Sequence, residues 1–227
     1  MSDHRAGLRR GFDFQTLDCE VMGSRFSADV QRIVIADAEA SGPFAAIVAP
    51  WAGWSELEVI AAAAPLRLLG GLHDIVLRGM APALAAQYPP AEPDRVGLCA
   101  QLVEVARTHA AYLARFIHSP PQTNEVRRSL CLVGGFLTVA RKTGLALRCL
   151  EIGASAGLNL NRDRYRYDLG PLGGWGDLDS PVRLDGEWTA PPPPFDVGAE
   201  VAERAGCDLA QVDLSDPDQA LRLQAYV

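Results

Sequence analysis

The chain of 227 residues is 48% hydrophobic and 22% charged, with mean hydropathy +0.04, so it has apolar surface for a core and wholesale disorder or a fibrous class is excluded. Against a typical domain of about 150 residues, that length makes one large domain or two modest ones. The 21 basic and 28 acidic residues leave a net charge of −7 and a pI near 5.1; such a surface repels polyanions, and nucleic acid is not an expected partner.

In chain order, Leu8 and Phe12 open a helix that stops at Gly23, and Ser24 is placed to cap a second carrying Phe26, Val30, Ile33, Val34 and Asp37 on one face. Pro65 suits a first helical turn, with Leu66, Leu69, His73, Val76 and Leu77 following at spacings of three and four until Gly79. Leu98, Leu102, Val105, His109, Tyr112, Leu113 and Phe116 predict a helix from Val96 to Ile117, and a further helix runs from about Asn124 to Thr143. The period changes at Ala146. Leu145 to Ile152 is a short apolar run that fits a buried strand, and the small residues Gly153 to Gly157 turn the chain toward a helical segment. Strand, tight turn and helix begin a doubly wound sheet. Then come a polar Arg162 to Tyr167 segment, a glycine-rich loop, a strand at Pro181 to Leu184 and the tract Pro191 to Pro194. A helix over Val197 to Ala205 and a strand over Leu209 to Leu214 follow, and a last helix opens at Asp216-Pro217-Asp218 and runs to Val227 without a C-cap glycine. The expected fold class is α/β: a helical domain over 1–144, then a partial Rossmann-like, methyltransferase-like sheet over 145–227 that is truncated. Its open strand edge is a route to self-association.

The N-terminus MSDHRAGLRRG leads into no apolar signal core, and the apolar stretch Val59 to Leu72 is interrupted by Pro65 and Arg67, so neither export nor a membrane span is indicated. Five cysteines without a C-x-x-C pair or a histidine at zinc spacing suit a reduced, metal-free, cytoplasmic protein.

Chemistry concentrates in Glu151-Ile-Gly153-Ala154-Ser155-Ala-Gly157. As a nucleophile elbow, Gly-x-Ser-x-Gly with Ser155 as nucleophile of a serine hydrolase, it fails on chain order, since His4, His73, His109 and His118 all precede the serine. As a dinucleotide fingerprint it has Ser155 where the second glycine belongs. It resembles better the first loop of S-adenosylmethionine-dependent methyltransferases: small residues let backbone approach a ligand, and Glu151 adds negative charge for a cationic cofactor. On that reading Glu151, Gly153, Ala154, Ser155 and Gly157 bind the cofactor. The plain structural alternative is a strand-to-helix turn in which Ser155 caps and Gly157 permits packing. The ribose acid is not evident. An offset of about 20 residues lands among Asp168, Asp177 and Asp179 in loop, with Asp185 behind a better strand.

Other polar groups supply candidates for an acceptor side. His73 and Arg78 lie near the end of an apolar helix, where a core histidine and a C-terminal arginine are the bland account. Gln122, Thr123, Asn124 and Glu125 crowd one helix start beyond what a cap needs, and Asn159 follows the glycine turn. His73 and Glu125 are the candidate acids or bases; Arg78, Gln122, Thr123, Asn124 and Asn159 are candidates for substrate binding.

The combination LRLLGGLHDIVLRG, QTNEVRRS, LEIGASAGLNL with DRYRYDLG, and WGDLDSPVRL resembles the bacterial family known as domain of unknown function 2332, over nearly the whole chain. The resemblance implies a helical N-terminal part and a methyltransferase-like Rossmann part, with no reaction attached. Three functions stay open: methyl transfer from S-adenosylmethionine to a small molecule, a non-catalytic Rossmann-like binding or interaction protein and, ranked last, a serine hydrolase using Ser155 with a rearranged triad through His73.

Overall fold

The computed structural model describes residues 2–189 and 191–226. The chain forms two compact units: one comprises the described residues up to Gln122 together with Gln224–Tyr226, the other Thr123–Leu223. Val227, to which the last helix is expected to run, lies outside the described residues.

The first unit is helical. Its elements are α1 (Ser2–Val21), α2 (Arg25–Glu39), α3 (Pro43–Val48), α4 (Glu56–Ala61), α5 (Ala64–Leu77), α6 (Pro82–Ala85), α7 (Arg95–Thr108) and α8 (Ala110–Phe116). Leu8 and Phe12 of α1, Val30 and Val34 of α2, and Leu68, Leu72 and Ile75 of α5 sit three or four residues apart, which puts each set on one helix face in a shared core. Polar caps define where helices begin. Ser55 accepts from the Glu58 amide while the Glu58 carboxylate accepts from the Ser55 amide, a capping box on α4, and Asp94 accepts from Val96 and Gly97 at α7. Ser24, by contrast, caps α2 without a side-chain hydrogen bond. The single helix expected over 96–117 is two, broken at His109. Just before the break the Thr108 hydroxyl donates to the Glu104 carbonyl, the kind of backward bond that bends a helix. In α5 a glycine is needed at position 70, because a Cβ there would lie 2.3 Å from the Tyr226 ring. No single helix among the described residues is long and apolar enough to cross a membrane.

The second unit carries α9 (Arg128–Thr143), β1 (Leu147–Ile152), a 3₁₀ segment (Leu158–Arg164), β2 (Arg166–Asp168), β3 (Gly174–Trp175), β4 (Arg183–Asp185), β5 (Val201–Cys207) and, but for its last residue, α10 (Pro217–Gln224). β1 and β5 form a two-stranded parallel sheet, with Leu150 opposite Ala205 and Ile152 opposite Cys207. β2 sits between β3 and β4 in a second sheet, antiparallel to β3 and parallel to β4. Val133 and Leu137 of α9, Tyr165, Tyr167 and Leu184 make its core. The chain is thus α/β, with a helical N-terminal region and a small parallel sheet.

Three sequence expectations fail here. Val197 to Ala205 is not a helix, for Val201–Cys207 is strand β5. Ala, Glu and Arg favour helix by only tenths of a kcal/mol each, about what a ladder with β1 outweighs. Leu209 to Leu214 is not a strand but loop, with Leu209 fully exposed. After the glycine turn the chain enters the short 3₁₀ segment instead of an α-helix.

Candidate functional site

The residues from Gly153 to Gly157 leave the C-terminal end of β1 and bend sharply. Gly153, Ser155 and Gly157 all have left-handed backbones, with φ of 73, 50 and 72°. Glycine adopts such angles freely; at Ser155 they cost energy, and strain of this kind in a non-glycine residue is held in place by surrounding contacts. Two of these contacts are bonds across to the chain after β5. The Ser155 amide donates to Asp208 Oδ2 at 2.8 Å, and the Val212 amide donates to the Ser155 carbonyl at 3.3 Å.

A cavity of about 280 Å³ opens beside this bend. Its wall includes Ala154, Ser155 and Gly157 from the turn, Asn161 from the 3₁₀ segment, and Arg204, Cys207 and Asp208 from β5 and its exit. It therefore lies at the C-terminal ends of two parallel strands, where open sheets bind ligands. Asp208, absent from the sequence-derived candidates, is the carboxylate in this cavity wall; like Asp168 and Asp177 it holds a turn, its Oδ1 accepting from the Ala210 amide at 2.9 Å while Oδ2 accepts from Ser155. It was hidden because β5 reads as helix and because a second sheet separates it from β1 in sequence. The acids expected from sequence sit on that second sheet or its loops: Asp168 accepts from the Gly170 amide, Asp177 from the Asp179 amide, and Asp185 ends β4.

The backbone amides of the turn are mostly committed within the chain. Gly153 and Ala154 donate to the Cys207 carbonyl, Ser155 to Asp208, Gly157 to the Ala154 carbonyl and Leu158 to Asn124 Oδ1. From Gly153 to Leu158 only the Ala156 amide has no partner among the described residues. A cradle for phosphate needs several converging free amides, and this turn does not offer them. Arg204 does not supply positive charge either, since it is paired with Asp163 and donates to the Leu160 carbonyl at 3.0 Å.

Glu151 is half-buried, and its Oε2 atom is shielded from water without a hydrogen-bond partner. Burial pushes its carboxyl above the ordinary carboxylate range, partly offset by the nearby charges of Arg162 and Arg128. Arg162 is buried, lies 3.5 Å over the Phe136 ring and donates to the Asn159 carbonyl.

Among the other candidates, Asn124 and Asn159 are drawn to the turn as ties. Asn124 holds the Leu158 amide at 2.9 Å; Asn159 accepts from Ser129 Oγ at 2.7 Å and donates to the Glu125 carbonyl at 3.2 Å. The Glu125 side chain is exposed and accepts from the Arg127 amide at 2.7 Å, as a residue before a helix start does. Thr123 is exposed at the beginning of the second unit, and Gln122 ends the first. His73 and Arg78 belong to the helical unit. There His73 Nδ1 is 3.2 Å from the Ala225 carbonyl with its ring stacked on Tyr88, and Arg78 donates to Asp74 at 2.7 Å. Ser155 is 5% exposed and leads into a 3₁₀ segment, whereas a nucleophile elbow presents its hydroxyl on a strand-to-helix turn.

No curated protein and no solved structure matches the chain. A family model described as an uncharacterized protein conserved in bacteria, DUF2332, matches residues 9–227. Because that match spans nearly the whole chain, the protein belongs to the DUF2332 family.

Proposed function

We propose that the cavity beside the glycine turn binds S-adenosylmethionine, and that the protein is a methyltransferase with a small-molecule acceptor. The observation that carries the reading is Asp208: a carboxylate at the tip of the strand paired with β1, in the cavity wall, where a ribose diol is recognised in open parallel sheets. The fit favours a cationic nucleoside over a dinucleotide. All the turn's amides but that of Ala156 are satisfied in-chain and Arg204 is paired with Asp163, so a pyrophosphate finds few donors; Asp208 supplies negative charge in the cavity wall, and Glu151 adds to it from β1, outside that wall. A cavity of about 280 Å³ is just under the usual range for small-molecule sites, about 300–1,000 Å³, and suits the nucleoside portion. When bound, the cofactor supplies a methyl group made electrophilic by its sulfonium. Asp208 would hold the ribose, Ala154 to Gly157 would let the ligand approach backbone, and Glu151 would favour the cationic end.

Titration calorimetry with S-adenosylmethionine, S-adenosylhomocysteine and NAD tests this. The first two are expected to bind and NAD is not, and Asp208→Asn is expected to weaken binding at least tenfold, a change of about 1.4 kcal/mol. The absence of binding at millimolar ligand by folded protein overturns the proposal. The raised carboxyl of Glu151 adds a pH signature. It protonates at a higher pH than a solvated acid, so affinity for S-adenosylmethionine is expected to fall as pH drops through that raised range, and to stay flat in Glu151→Gln. A wild-type affinity equally flat over mildly acidic pH would remove Glu151 from the site.

One observation favours the second reading, binding without catalysis: Asn124 and Asn159 spend their side-chain bonds on tying the turn and leave little for an acceptor. Binding without methyl transfer to any of a broad panel of small-molecule acceptors would select it.

A further inference from the structure

Gln224–Tyr226 return the chain to the helical unit, and there this short strap is fastened to α5. His73 Nδ1 stands 3.2 Å from the Ala225 carbonyl, and since a carbonyl only accepts, that nitrogen carries the proton. The Tyr226 ring lies against Gly70, where a Cβ would be 2.3 Å away, and its centroid is 6.0 Å from that of Phe116. Gly70 and His73 are three residues apart and so share one face of the helix. Ala225 between the two anchors is buried.

Immediately before the strap stands α10, and before α10 the loop of residues 208–216 that follows β5. Asp208 and Gln211 of this loop line the cavity, and its Val212 amide donates to the Ser155 carbonyl. The loop has little burial of its own to hold it, since Leu209 and Leu214 are both exposed, and segments with few buried apolar contacts open readily. Its tie to α10 is Gln219, whose Oε1 accepts from the Asp213 amide at 3.0 Å while its Nε2 donates to Asp216 Oδ2 at 2.9 Å. Bonds therefore run in an unbroken series from Ser155 through Val212, Asp213 and Gln219, along α10, to the strap on α5.

We propose that the strap is a clasp. Docked on α5, it fixes the C-terminal end of α10, and through Gln219 it holds the 208–216 loop against the glycine turn, completing the cavity wall. Released, α10 carries Gln219 away, the loop relaxes from Ser155 and the wall opens; coupling over such a distance needs a contiguous set of elements with two arrangements, and this series is one. Anything that competes for the Gly70 and His73 face of α5 then opens the cavity. The inference concerns the wall itself and holds whatever the cavity binds.

Hydrogen exchange in the full chain reads the clasp without any ligand. Tyr226→Ala removes the ring, and Gly70→Ala displaces it while giving α5 the better helix former. In both variants the Val212 and Asp213 amides are expected to exchange about tenfold faster than in the wild type, with the buried Val30 and Val34 of α2 unchanged. Gln219→Ala cuts the series on the loop side, and in that background Tyr226→Ala is expected to add nothing further. Wild-type exchange at 212 and 213 in either strap variant, an equal rise in α2, or full additivity with Gln219→Ala overturns the proposal.

Discussion

Gly206→Val is expected to abolish ligand binding at the glycine turn while the helical unit stays folded. Gly206 sits on β5 opposite Glu151, and a Cβ there would lie 2.7 Å from Ala154 Cβ and 3.1 Å from Leu160 Cδ1. Both contacts belong to the cavity wall, and the nearer is to a methyl fixed rigidly to the turn backbone. Overpacking of this sort costs about 1–3 kcal/mol when neighbours can move, and more where they cannot. The relief available is for the turn to slide off β5, which breaks the bonds from Gly153 and Ala154 to the Cys207 carbonyl and empties the site of its shape. Gly153 behaves differently: a Cβ there meets open space, and only its left-handed backbone argues for glycine. Calorimetric titration with S-adenosylhomocysteine and far-ultraviolet circular dichroism check the prediction together. Wild-type affinity in Gly206→Val would mean that the turn does not shape the site.

Asp74→Ala is expected to destabilise the helical unit by about 3 kcal/mol, the lower end of the range for breaking a buried ion pair. Asp74 is fully buried on α5, where its Oδ2 accepts from Arg78 Nε at 2.7 Å and from the Tyr112 hydroxyl of α8. Burial and, after it, the bond to Asp74 push the Tyr112 phenol above its ordinary pKa. Truncation strands a tyrosine hydroxyl and removes the counter-charge of Arg78. Arg78 is 28% exposed and can recover some hydration, which places the expected loss low in the range. Asp74→Asn keeps one acceptor and is expected to lose less. Urea denaturation measures both; a loss below about 1 kcal/mol in the alanine variant would show that the cluster adds nothing to stability beyond an exposed pair.

The helical unit was legible because its signals are local. Apolar spacing marks the inner faces of α1, α2 and α5, and Pro65 marks a helix start. β1 and its turn were legible too, since an apolar run meeting small residues changes the period within a few positions. What escaped was decided at long range. Val197 to Ala205 reads as helix in isolation, and Val201–Cys207 becomes strand only because β1 lies beside it. Asp208 was then missed, for a carboxylate at a strand end is recognisable only once the strand is. The offset of about 20 residues lands on the second sheet for a related reason: β2, β3 and β4 occupy the stretch in which an unembellished unit would already have returned to the sheet. Asn124 and Asn159 carried the right hint, an excess of polar groups over capping needs, but pattern alone does not separate a group that ties a loop from one that meets a ligand.

That interposed sheet also sets an order of events. β1 and β5 are separated by residues 153–200, and a chain closing on itself over such a distance pays more entropy than any hairpin. The small sheet packed on α9 is local in sequence and is expected to consolidate before β5 reaches β1, which shortens the effective gap. The cavity beside the glycine turn is consequently expected to form late in folding, since its wall is incomplete until Cys207 and Asp208 reach the end of β1.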